Sequence, residues 1–129
     1  VALRDSKVLD RRLFELAVIV VCRAFTVQYA WSSHAPAAEA ARVSPDVIAA
    51  IRDNRVPDFS NEDERMVYDV ATELMQTKDL SRTAYDRAVK QLSVEGTIDL
   101  VSTVGYYAMV GIFLKSFAVP TPTGDNPLK

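Results

Sequence analysis

Apolar residues recur along most of this chain at helical spacing, and one stretch is apolar nearly all round. From Leu13 to Cys22 nine of ten residues are apolar, and the tenth is Glu15. That pattern predicts a helix buried on nearly every side. Asp10 is placed to cap its start, and Leu9 with Phe14 has the spacing of a hydrophobic staple. Val1 to Leu9 has no clear period and reads as an entry segment. The first long helix is expected from about Arg11 to Phe25, a tight turn at Thr26, and a second helix from about Val27 to Arg42. Pro36 lies inside the second helix. It either kinks that helix beside His34 or starts a new one, and the local signals weigh the two equally.

Ser44-Pro45 has the form of an N-cap followed by proline at the first helical position, and predicts a short helix through Asp53. Asn54 to Phe59 reads as the longest loop. Ser60 is the expected cap of the next helix. That helix carries Glu62, Asp63 and Glu64 in its first turn and a stripe of Met66, Val67, Val70, Ala71 and Leu74. Ser81 is the expected cap of a further helix with Tyr85, Ala88, Val89 and Leu92 inward. A last helix is expected from about Val94 to Phe117, with Gly105, Ala108 and Gly111 letting another helix come close. No stretch alternates apolar and polar for long and no hairpin dipeptide occurs, so no strand is expected. The reading is an all-α bundle of about six helices over residues 1–119. Residues 120–129, with Pro120, Pro122 and Pro127, form an extended tail that is either disordered or laid over a neighbouring subunit.

Composition narrows the partners. The 129 residues suit one domain, and a net charge of −2 with dispersed basic residues gives no pull toward nucleic acid. The longest uncharged run, Leu100 to Leu114, has 15 residues. That is short of the roughly 20 that cross a bilayer, so a buried helix and no membrane partner are expected. The absence of a leading signal segment and the single cysteine suggest a cytoplasmic protein. Cys22, set in an apolar run without a neighbouring cation, reads as an inert buried thiol. One histidine among scattered acids offers no metal-ligand spacing, and no phosphate-binding glycine motif occurs, so neither metal nor cofactor is expected.

The candidate chemistry lies in the first two helices. A carboxylate in an apolar helix needs a partner or must give up its charge. If Thr26 turns the chain back on itself, residues equidistant from the turn lie level, and Glu15 and His34 are nearly so. Glu15 would then orient the imidazole and leave its second nitrogen for a substrate, making His34 a general acid or base. The plainer alternative is a structural ion pair between helices. Val27, Ala30 and His34 share a helix face, and Trp31 adjoins it as pocket wall or simple core. Tyr106 and Tyr107 could bring a hydroxyl from the last helix, but adjacent helical positions point about 100° apart, so at most one faces the site. Gln28 and Tyr29 are weaker candidates for substrate hydrogen bonds.

At these residues the sequence resembles the carboxymuconolactone decarboxylase family, which includes alkylhydroperoxidase D-like proteins. The likeness rests on RRLFELAVIVVCRAFTVQYAWSSHAPAA, the SPDVIAAIR helix and DLVSTVGYYAMVGIFLKSF, with QYAWSSH the most specific part. It implies an alkylhydroperoxidase D-like helical bundle that assembles into homo-oligomers, trimers or hexamers. In the peroxidase branch a glutamate, a CxxC pair and a histidine share one register. Here the glutamate and histidine fall on Glu15 and His34, and the two cysteine positions on Val27 and Ala30. The frame of a proton relay is present without its thiols, which disfavours a peroxiredoxin-type antioxidant activity. The decarboxylase branch carries acidic residues just before the histidine, where this chain has Gln28, Tyr29 and Ala30. That branch fits only in part, and with the thiols missing the resemblance implies a cofactor-free lyase, acting on a small carboxylated lactone or enol-type acid as in aromatic compound catabolism. The other reading is a non-catalytic ligand-binding oligomer of the same fold.

Overall fold

Asp10 opens the first helix as its position suggested: its carboxylate accepts the backbone N–H of Leu13 at 2.9 Å. The computed structural model describes residues 9–129, so the entry segment expected over Val1 to Leu9 lies, but for Leu9, outside the described residues. Helix α1 spans Arg11–Phe25, and every side chain from Leu13 to Cys22 is buried. It is the axis of the molecule, with α2 (Gln28–Ala40), α4 (Glu62–Thr77) and α5 (Arg82–Ser116) packed around it and α3 (Pro45–Arg52) closing one side. A helix covered on all sides must be apolar on all sides, which is why α1 carries no ordinary polar face. Leu9 and Phe14, the expected staple pair, are both buried.

Thr26 ends α1 in the left-handed conformation (φ 52°, ψ 53°), its N–H returning to the carbonyl of Arg23 and that of Val27 to Cys22. The chain reverses within two residues, and α2 runs back along α1. Pro36 is accommodated inside one continuous α2. Ser44 caps α3 with Pro45 at its first turn.

Two boundaries differ from expectation. The cap of α4 is Asn61, not Ser60, and it makes no side-chain bond. The Asp63 carboxylate accepts the Glu64 N–H at 2.7 Å instead, doing locally what a capping hydroxyl would do. The same two acids take both ends of the Arg12 guanidinium and pin α4 to the first turn of α1. The two helices expected on either side of Ser93 are both present, joined across a kink into one element, α5, so the elements number five where about six helices were expected. Ser93 marks the join with φ 68° and ψ 175°. Its hydroxyl accepts the Gly96 N–H at 3.4 Å and its carbonyl the Thr97 hydroxyl at 2.8 Å, so the second half restarts at once beyond the kink. No strand occurs among the described residues, and the fold is all-α.

The second half of α5 is unevenly covered. Gly111 lies against the α1–α2 turn, where an added Cβ would stand 3.1 Å from Val27 Cγ2, whereas one on Gly105 would meet nothing within 4 Å. On the open side Ile98, Met109, Ile112, Phe113 and Phe117 are each more than half exposed. By length and composition alone, α5 is the one helix among the described residues able to cross a membrane. The tail is laid back over α2: the side-chain amide of Gln28 donates to the Leu128 carbonyl at 2.6 Å and accepts its N–H at 2.9 Å, and Leu128 is buried.

Candidate functional site

Glu15 occupies the apolar middle of α1 because the helix has no other face to give it, and its side chain is wholly buried. The turn at Thr26 brings His34 of α2 level with it. Nδ1 of His34 stands 2.8 Å from Glu15 Oε1, so one proton lies between ring and carboxylate. The pairing answers half of the carboxylate's needs: Oε2 is buried and has no hydrogen-bond partner among the described residues. His34 lies shallower, its side chain 12% exposed. With Nδ1 engaged, Nε2 is the nitrogen left for chemistry.

Tyr107 of α5 stacks edge-on against the imidazole, ring centroids 5.1 Å apart, and touches Phe14 on its other side. Tyr106 packs edge-on against Tyr107, one ring further out. Of the two tyrosines, Tyr107 therefore meets the histidine directly. The remaining candidates are placed elsewhere. Tyr29 and Trp31 line a cavity of about 530 Å³ between α2 and the tail, and Gln28 has its amide committed to Leu128. Val27 and Ala30 are buried core residues.

A smaller hollow of about 220 Å³ opens beside the carboxylate, walled by Arg11, Glu15, Ala37, Ala40 and Ala41. The three alanines keep the α2 wall low, and Arg11 stands one helical turn before Glu15 on the same face. Arg11 escaped the sequence reading, although its i, i+4 spacing to Glu15 was there to be used. Among the described residues no cluster of histidine, cysteine, aspartate and glutamate could hold a metal. Burial pushes the Cys22 thiol up to about 12, and the charge of Glu15 two turns earlier adds to the effect. A thiol so raised stays protonated at neutral pH and is a poor nucleophile.

Comparison with known proteins gives one match, to the carboxymuconolactone decarboxylase family, over residues 2–73. That span takes in α1, the Thr26 turn and the whole of α2, and so both members of the couple. No curated protein and no solved structure matches the chain.

Proposed function

From its membership of the carboxymuconolactone decarboxylase family, to which this chain belongs, we propose a cofactor-free lyase that decarboxylates a small carboxylated lactone or enol-type acid. The observation that carries the reading is the 2.8 Å contact between a wholly buried carboxylate and the sole histidine. Loss of carbon dioxide leaves an electron pair on carbon, held as an enolate by a neighbouring carbonyl. The imidazolium delivers the Nε2 proton to that carbon and returns to neutral imidazole, and Glu15 holds the other nitrogen and balances the positive charge until that proton leaves. Arg11, at the rim of the hollow, is the group suited to receive the substrate carboxylate. Peroxide reduction has no support from a single protonated thiol.

The test is turnover of small lactone acids, followed as carbon dioxide release. His34→Gln and Glu15→Gln should each cut the rate about a hundredfold or more. Full activity in His34→Gln would end the reading. A second reading, a ligand-binding oligomer without catalysis, is favoured by one observation: the hollow within a single subunit touches Glu15 rather than the imidazole. Saturable binding of the same acids without turnover would select it.

Assembly belongs to the same proposal. The exposed apolar stripe of α5 suits a second copy of this chain, giving a homo-oligomer, trimer or hexamer, rather than nucleic acid or a membrane. A reducing, cytoplasmic setting accords with the one unpaired cysteine.

A further inference from the structure

The last turn of α1 carries Arg23 into a cavity of about 370 Å³ between α1, α4 and the Asn54–Val56 loop, separate from the couple. Glu15 and Arg23 are eight residues apart on α1, about 12 Å along the helix. Arg23 is held from two sides: Nε donates to Asn54 Oδ1 at 3.0 Å, and Nη2 to the Lys129 carbonyl at 2.8 Å. Its third nitrogen, Nη1, is buried and finds no acceptor among the described residues. That nitrogen is itself out of reach from the cavity, but the half-buried guanidinium to which it belongs forms part of the cavity wall and favours an anion beside it.

The walls supply the rest of a recognition site. Arg55 brings a second guanidinium; its only ion pair among the described residues is a 3.5 Å contact with Asp53, which Arg52 shares. Thr72 and Asn54 add neutral polar groups, and no acidic side chain lines the cavity. Opposite them Val20, Ile51, Met75 and the ring of Tyr68 form an apolar wall. The volume falls in the range of small-molecule sites.

We propose that this cavity is a second ligand site, taking a small organic carboxylate whose charged end meets Arg23 and Arg55 and whose apolar body lies against Val20, Ile51 and Tyr68. A planar carboxylate suits the guanidinium fork, and the apolar wall favours an organic acid over inorganic phosphate. The site lies apart from the Glu15–His34 couple and stands whether or not that couple is catalytic.

Titration of the full chain with benzoate, followed by NMR of the Thr72 and Met75 methyl groups, tests this. One saturable site is expected, weakened about tenfold in Arg23→Gln and several-fold in Arg55→Gln, and unchanged in His34→Gln. Arg55 is exposed, so its variant remains informative if loss of the Arg23 bonds disturbs the fold. No saturable shift at Thr72 and Met75, or native affinity in both arginine variants, would overturn the proposal. Inorganic phosphate binding as tightly as benzoate would overturn it too, since the apolar wall would then play no part.

Discussion

Glu15 and His34 are worth more as a pair than as two residues. Removing the ring by His34→Leu would leave both carboxylate oxygens buried and unanswered, and should destabilise the fold by about 3–5 kcal/mol in urea unfolding. The double change Glu15→Leu, His34→Leu removes donor and acceptor together and should recover most of that loss while abolishing turnover or ligand binding. A double variant no more stable than His34→Leu would show that the pair does more for the fold than mutual compensation. Cys22 gives a prediction with a sign. Its folded-state pKa, about 12, lies above the ordinary value of 9.0, so its contribution is full below pH 9 and is lost as pH rises toward 12. The stability difference between the native protein and Cys22→Ala should therefore shrink over that window. Cys22→Ala should also leave any activity intact, and a difference that stays flat from pH 9 to 12 would show that the thiol is not shielded.

Ser93 is where element-scale strain concentrates. A non-glycine residue at φ 68° costs about 1 kcal/mol or more, and its hydroxyl partly offsets this by meeting the Gly96 N–H. Ser93→Gly should raise stability by up to about 1 kcal/mol, since glycine relieves the strain and substitutes tolerably at a cap. Ser93→Ala keeps the strain, loses the cap and should lower stability; thermal unfolding of both variants checks the order. This join also marks how far the elements could be read from residues. Asp10, Ser44-Pro45 and the Thr26 turn are local devices, and the Glu15–His34 contact followed from counting out from that turn. Nothing local reveals that α5 resumes directly after its kink at Ser93. Nor does it reveal that Gln28 is held by Leu128, 100 residues away. Tyr106 and Tyr107 were equivalent until the packing of α5 on α1 chose Tyr107. Arg23 drew no notice because its partners, Asn54 and Lys129, lie 31 and 106 residues away.

At the scale of the whole molecule, α5 leaves a row of large apolar side chains open to solvent. Phe113 and Phe117 stack on each other at 4.8 Å while remaining 60% and 67% exposed, beside Ile112 and Met109. Light scattering at micromolar concentration should give a multiple of 14.3 kDa, and Phe113→Glu should shift it toward the single chain with helix content unchanged. A monomer in the native protein would remove the assembly from the reading. The couple itself would be untouched, because both of its members lie within one chain.

The couple has a direction, because its carboxylate lies deeper than its ring. On the lyase reading the ring, 12% exposed against none for the carboxylate, is the member that takes protons from solvent, whereas the hollow reaches only the carboxylate. Exchanging the two residues, Glu15→His with His34→Glu, would keep the contact and the charge while reversing that order. Such a protein should fold cooperatively and fail at proton delivery. Orientation, beyond mere adjacency, would then be what the Thr26 turn preserves.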